Sequence, residues 1–192
     1  MLQIIGIISG LVALIGEFPY IIDIVRNKTK PERATWLIYI TLSGIAFFSQ
    51  LAKGASNSLW LTGLESIGVL IIFLLSLKKG VGGVNKRDKI ILLTALAGLL
   101  LWYFTKEAAV ALYIIIAVDL VGTIPTVIKS FEEPESETLI TWLLSSIAGI
   151  LSMIAVGKFS VVLLSYPFYI FLANGGVVMA ILSGKNKSKN IS

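Results

Sequence analysis

The sequence predicts an all-α membrane protein with seven transmembrane helices. Of its 192 residues, 56% are hydrophobic and only 14% are charged, whereas soluble domains carry about 25% charged residues. The apolar residues form runs of roughly 20, which is the length that a helix needs to cross the hydrocarbon core of a bilayer. Most of the basic residues fall between these runs, as they do in the loops of membrane proteins. A lipid bilayer is therefore the predicted environment of most side chains.

Six apolar segments have the length of a membrane span. They cover residues 2–25, 34–52, 58–77, 107–128, 138–156 and 160–182. The first begins without a basic leader or a small-residue cleavage site, so we expect a retained helix rather than a cleaved signal peptide. A seventh segment, residues 90–104, is shorter, and its periodicity does not decide whether it crosses the membrane.

The positions of lysine and arginine decide the number of spans, because cytoplasmic loops collect these residues. With seven spans and the N-terminus outside, only Lys53, Lys106 and Lys158 of the 16 basic residues lie outside. With six spans, the C-terminal lysines would also lie outside and the bias would weaken. We therefore predict a multi-pass protein of the cell membrane with its N-terminus outside and its C-terminus in the cytoplasm. The net charge of +5 is then a topology signal, and no nucleic-acid partner is expected.

The two halves of the sequence resemble each other, with Pro19 aligned on Pro125 and Trp36 on Trp142 at the same offset of 106 residues. Each half contains three predicted spans, and the short segment lies between them. An odd linker helix gives both triplets the same orientation, so the sequence predicts a parallel 3+1+3 repeat. The predicted sections are a first three-helix bundle (1–79), a cytoplasmic loop with linker helix 4 (80–106), a second three-helix bundle (107–184) and a basic cytoplasmic tail (185–192).

This arrangement resembles the SWEET/PQ-loop superfamily of seven-helix membrane transporters, in a prokaryotic branch. The resemblance covers nearly the whole chain and is carried by a proline near the cytoplasmic end of the first helix of each triplet, followed by a polar loop and a tryptophan. It implies a central substrate site at the bilayer midplane, with Pro19 and Pro125 as hinges. Asn174 matches the substrate-binding asparagine of the last helix, and its partner position in the third helix reads Glu65-Ser66.

Glu65 lies well inside the third predicted span, where a carboxylate costs roughly 2.5–3.5 kcal/mol on insertion scales and usually faces a cavity or a partner. We interpret Glu65 as a substrate-binding or proton-binding residue; the alternative is a structural pair with a polar neighbour. Glu17 and Asp119 each precede a helix proline, which frees a backbone carbonyl one turn earlier. Carboxylate and carbonyl together could bind a proton or cation, or the proline could form a kink whose carbonyl is satisfied by water or a hydroxyl.

The remaining candidates are polar or aromatic. Asn174 precedes two glycines, which allow close approach of a ligand or a helix, so it is predicted to bond a substrate or, alternatively, another helix. Trp36 and Trp142 begin the second helix of each triplet, where interfacial anchoring is favoured over a role in the pore. The predicted substrate-binding set is Glu17, Trp36, Glu65, Ser66, Asp119, Trp142 and Asn174.

These features favour a transporter that moves a small polar solute by alternating access, either as a facilitator or as a proton-coupled carrier. The alternative is a membrane receptor or binding protein on the same scaffold, without transport. The chain has no cysteine and no histidine, so it lacks the usual nucleophiles, bases and soft metal ligands. We therefore expect no enzymatic activity, no metal site and no cofactor. The sequence leaves homo-oligomerisation open.

Overall fold

The computed structural model describes residues 1–27, 30–31, 33–84 and 86–189, and their regular structure is helical, as predicted. The side chains of residues 87, 88, 91, 125, 136, 188 and 189 are outside this description. The α-helices of the described residues are α1 (Leu2–Val25), α2 (Arg33–Ala52), α3 (Leu59–Lys79), α4 (Lys86–Thr105), α5 (Ala108–Glu132), α6 (Leu139–Val156) and α7 (Val161–Lys189), and a 3₁₀ turn at Pro134–Ser136 precedes α6.

Six helices in the described part of the chain are long and apolar enough to cross a membrane, namely all except α4. This confirms the six predicted spans, with α7 extending beyond its predicted end at residue 182 into the basic tail. The seventh predicted segment falls in α4, whose apolar part, Leu92–Thr105, is shorter than the other six. Large apolar side chains such as Ile15, Phe48 and Leu93 are exposed on the outer faces of the helices. The architecture is consistent with a multi-pass membrane protein.

The helices other than α4 form a closed ring. Within the first three, α3 packs between α1 and α2, and within the last three, α7 packs between α5 and α6. The two groups meet where α1 packs on α6 and where α2 packs on α5. Helix α4 lies outside the ring against α2 and α5. A ring of six helices has an interior, and that interior contains the candidate site.

Successive helices run between two ends of the bundle. At one end, here called the far end, Lys53 Nζ at the end of α2 pairs with Glu107 Oε2 at the start of α5 (2.6 Å). At the other end, Lys79 Nζ at the end of α3 donates to the carbonyl of Val25 in α1 (2.8 Å). This second end is called the basic end, because Arg26, Arg33, Lys129 and Lys185 lie there too. Helix α4 follows Lys79 and precedes Glu107, so it runs from the basic end to the far end.

Small residues allow the ring helices to approach closely. Gly10 of α1 faces the backbone of Trp60 in α3, so that a Cβ there would collide with the Trp60 carbonyl. Ser9 Oγ donates to the carbonyl of Ala148 across the contact between α1 and α6, at 2.7 Å. Small residues and interhelical hydrogen bonds are the usual means of helix association in lipid, where the hydrophobic effect contributes little. These contacts hold α1 firmly against α3 and α6.

Candidate functional site

A cavity of about 190 Å³ lies inside the ring of six helices. Its lining side chains come from α1, α2 and α3 in the first half of the chain and from α5, α6 and α7 in the second half. Among the described residues, α4 supplies none of them. The polar and aromatic lining residues are Glu17, Trp36, Tyr39, Ser43, Glu65, Asp119, Thr123, Thr126, Thr141, Trp142, Ser145, Tyr166, Tyr169 and Asn174.

Six of the seven residues predicted to bind substrate line this one cavity. The exception is Ser66, which lines an apolar groove between α2 and α3 on the outer side of the ring. Consecutive residues in an α-helix point about 100° apart, so Glu65 can face the interior only if Ser66 turns away from it. The prediction for Ser66 therefore differs from the structure for a geometric reason. A pattern match to a pair of adjacent residues does not say which of the two faces inward.

The three carboxyl groups that line the cavity differ in their hydrogen-bond partners. Asp119 Oδ2 accepts a hydrogen bond from the Tyr169 hydroxyl at 2.8 Å. Glu65 has the Tyr166 hydroxyl beside it as a hydrogen-bond partner, while its Oε2 is buried without a partner among the described residues. Glu17 Oε2 is likewise buried and unpartnered within the described part of the chain. A buried polar atom without a partner is rare in proteins and calls for an explanation such as a bound ligand.

Gly68 of α3 makes room for the Glu17 carboxyl group. A Cβ placed on Gly68 would overlap Glu17 Oε2 and would approach Leu14 Cδ1 of α1 to 3.1 Å. Only a residue without a side chain allows α3 to pass this close to the carboxyl group of α1. The position of Glu17 in the cavity therefore depends on a glycine from a different helix.

Asn174 lies on the cavity wall and is tied to its own helix. Its Nδ2 donates to the carbonyl of Ile170, one turn earlier in α7, at 2.8 Å. This hydrogen bond lies within α7 and does not reach another helix. The amide is nevertheless positioned on the same cavity as Glu65, as the sequence predicted.

Both predicted tryptophans lie on the cavity wall toward the basic end. Trp142 Nε1 donates to Glu137 Oε2 at 3.1 Å, which attaches the loop before α6 to the cavity. The Trp36 ring is 5.2 Å from the ring of Tyr20, centroid to centroid. Anchoring at the lipid interface was the favoured interpretation of these residues. Their place in the structure also gives them direct contact with the cavity.

Three prolines lie inside ring helices. Pro19 lies inside α1 with its side chain exposed rather than in the cavity. Pro125 lies inside α5, but its side chain is outside the described part of the structure. The sequence interpretation missed a third, Pro167, which is buried inside α7. It directly follows Tyr166, a cavity residue that was also missed, and the visible signal was a proline between Tyr166 and Phe168 within an apolar run.

The cavity extends from the middle of the bundle toward the basic end. In α2, which starts at the basic end, the lining residues lie between Trp36 and Ser43. Beyond them the same face of the helix carries Ala46 and Gln50, both fully buried, because residues three and four apart share a face. The half toward the far end is therefore closed by packed side chains.

Polar atoms are buried in this closed half. Ser49 Oγ, Gln50 Oε1 and Ser58 Oγ have no hydrogen-bond partner among the described residues. Thr62 is fully buried as well and continues the face of α3 that carries Glu65. A packed interior made only for stability would be apolar, since each unpartnered buried group costs about 1–3 kcal/mol.

Comparisons with protein-family models, with curated proteins and with solved structures found no significant match for this chain.

Proposed function

We propose that this protein is a transporter that moves a small polar solute by alternating access through the central cavity. The observation that carries the proposal is the position of that cavity, enclosed by all six ring helices and lined by carboxyl, hydroxyl and aromatic groups. Polar and ionisable side chains inside membrane helices usually mark the path of a substrate or an ion. The protein acts as a facilitator or as a proton-coupled carrier on a scaffold of the SWEET/PQ-loop type.

The packing of the helices supports a 3+1+3 repeat. If α1, α2 and α3 are exchanged for α5, α6 and α7, each contact within the ring becomes another contact of the ring. The contact of α1 with α6 becomes that of α5 with α2, and α3 takes the central place of α7. Several positions that correspond at an offset of 106 residues line the cavity together: Glu17 with Thr123, Trp36 with Trp142, and Tyr39 with Ser145. Transporters built from repeats bind substrate at such an interface.

The buried polar atoms near the far end support alternating access. In the conformation described, the cavity lies toward the basic end, while Ser49 Oγ, Gln50 Oε1 and Ser58 Oγ are buried without a hydrogen-bond partner among the described residues. Opening of the ring at the far end would give these atoms water as a partner. In a carrier, the residues that close the path in one conformation line it in the other. The polar composition of the closed half fits that double role.

The proposed orientation in the membrane follows from the same arrangement. Helix α4 runs from the basic end to the far end, which supports seven crossings. The basic end is proposed to face the cytoplasm because cytoplasmic loops collect lysine and arginine. The N-terminus is then outside and the C-terminus inside.

Uptake into proteoliposomes tests the proposed function. Purified protein would be reconstituted and offered a panel of labelled neutral, anionic and cationic solutes, with protein-free liposomes as the blank. We expect saturable uptake of at least one solute. Glu65→Gln should reduce this uptake strongly, whereas Glu132→Gln, at an exposed position near the end of α5, should leave it unchanged.

The absence of uptake for every solute would contradict the proposal, provided that the reconstituted protein is folded and monodisperse. A partner that copurifies with such an inactive protein would then favour a receptor on the same scaffold. Loss of that partner on neutralising Glu133, Glu135 and Glu137 would place the recognition surface on the loop before α6.

A further inference from the structure

The ionisable groups that line the central cavity include carboxyl groups but no basic side chain among the described residues. Carboxyl groups enter it from three different helices, as Glu17 of α1, Glu65 of α3 and Asp119 of α5. Its described lining includes no lysine or arginine, and the chain contains no histidine. Burial of several ionised acidic groups in one low-dielectric space is unfavourable unless protons or another positive charge compensate them. No side chain of the described cavity wall supplies that charge.

Two of these carboxyl groups each have an oxygen atom that accepts no hydrogen bond from the described residues. Oε2 of Glu17 and Oε2 of Glu65 are both buried and have no partner among the described residues. A carboxylate oxygen is an acceptor and needs a donor. An anionic solute would be repelled by the carboxylates. A solute with N–H or O–H groups and a positive charge would satisfy both oxygens.

Aromatic rings surround the same space. Trp36, Tyr39, Trp142, Tyr166 and Tyr169 line the cavity along with the carboxyl groups. The face of an aromatic ring attracts a cation, and ammonium groups are recognised by such aromatic surroundings. A combination of carboxylate and aromatic groups distinguishes an organic cation from both a sugar and an inorganic anion.

The arrangement does not suit a bare metal ion. In the described part of the chain, no group of three or more acidic, cysteine or histidine side chains is close enough to hold one. The carboxyl groups instead stand around a cavity of about 190 Å³. This space accommodates a molecule of several non-hydrogen atoms, with its charged group near one carboxylate and its body against the rings.

We propose that the cavity binds a small organic cation of the ammonium class, with Glu65 as its principal counter-ion. Glu17 and Asp119 stand on either side of the bound molecule, and the aromatic rings contact its hydrocarbon part. The inference rests on the proposed function, because it names the class of solute that the transporter carries.

Calorimetric titration of the purified full-length protein with matched pairs of compounds tests this inference. The cations are methylammonium, choline and agmatine, and the principal control is 3,3-dimethylbutan-1-ol, in which carbon replaces the charged nitrogen of choline. We expect at least one cation to bind saturably. If choline binds, we expect it to bind at least about tenfold more tightly than its neutral counterpart, because only the charged compound is attracted by the carboxylates and by the faces of the aromatic rings.

Variants locate the binding site. Glu65→Gln keeps the size of the side chain and removes its charge, so we expect cation binding to weaken about 10- to 100-fold. Asp119→Asn provides a second test if the first variant does not fold, with a weaker effect of the same sign. Glu132→Gln makes the matched change outside the cavity and should bind the cations as the unmodified protein does.

The results separate this inference from the proposed function. Failure of all three cations to bind, or equal binding of choline and its neutral counterpart, overturns the cation site. If neutral solutes are then taken up by proteoliposomes, the transporter proposal stands without it. If a cation binds in a Glu65-dependent manner but no solute is transported, the cation site stands and the transporter proposal fails.

Discussion

Replacement of Gly68 by alanine tests how the Glu17 carboxyl group is held in the cavity. A Cβ on Gly68 would overlap Glu17 Oε2, and its next nearest contact outside that side chain would be Leu14 Cδ1 at 3.1 Å. The overlapped atom is the end of a flexible side chain, so Glu17 can rotate away without any movement of the backbone. The expected result is a carboxyl group displaced from its place in the cavity, in a protein that still folds.

The expected change in ligand affinity is larger than the expected change in the free energy of unfolding, so the two effects can be distinguished. A glycine inside a helix is less favourable than alanine by about 0.5–1 kcal/mol, and a side chain forced away from its rotamer costs about 0.5–1.5 kcal/mol. These contributions oppose each other, so the free energy of unfolding should change by less than about 1 kcal/mol. Loss of a hydrogen bond to a charged ligand group costs about 1.5–3 kcal/mol. Binding should therefore weaken about 10- to 100-fold.

Titration with methylammonium, whose N–H groups can donate to Glu17, and thermal unfolding of the same Gly68→Ala preparation provide the two readouts. Gly63→Ala is the matched control, because it lies in the same helix and its Cβ would meet only the Phe47 ring at 3.4 Å, an ordinary contact. We expect the two variants to have similar unfolding midpoints and only Gly68→Ala to bind poorly. If both variants bind methylammonium as the unmodified protein does, Glu17 has no part in the site and the reasoning is refuted.

Three further predictions concern the cavity, the packing and the topology. Tyr169→Phe removes the 2.8 Å hydrogen bond to the acidic group of α5, so thermal unfolding should show a loss of about 1 kcal/mol, and an unaltered midpoint would argue against that bond. Gly149→Ala would bring a Cβ to 2.7 Å from the nearest backbone atom of α7 and should destabilise the protein by about 1–3 kcal/mol. Gly176→Ala is the control, because its Cβ would meet nothing within 4 Å. Equal thermal unfolding midpoints for the two variants would refute the close packing of α6 on α7. Because the chain has no native cysteine, single cysteines at Ser56 and Glu135 can report topology in intact cells, where an impermeant maleimide should label the first and not the second, and the reverse pattern would invert the orientation.

The spans could be predicted from the sequence because each depends only on local composition. A run of about 20 apolar residues identifies a membrane helix whatever its neighbours are. Acidic residues inside such runs were equally visible, and Glu17, Glu65 and Asp119 do share one cavity. Lipid excludes unpaired charge so strongly that an intramembrane carboxyl group indicates a polar interior even before the fold is known.

The remaining part of the site depends on helix rotation and tertiary packing, which a single sequence does not reveal. Tyr166 and Tyr169 lie in an apolar run, where tyrosine ordinarily anchors a helix at the lipid interface, and only the rotation of α7 brings them to the cavity. Ser66 was predicted to accompany its neighbour Glu65 but faces a groove on the outside. Gly68 could not be linked to Glu17, because their contact exists only once α1 and α3 are packed.

Accessibility of a cysteine at Ser49 tests alternating access most directly. Ser49 is fully buried in the closed half near the far end, and Ala95 of α4 is 1% exposed but packs outside the ring. In Ser49→Cys, an impermeant maleimide added at the far-end side should react at least about tenfold faster than in Ala95→Cys, because opening of the ring gives water access to this position. Equal protection of both thiols, with and without a transported solute, would contradict a carrier that opens at both ends.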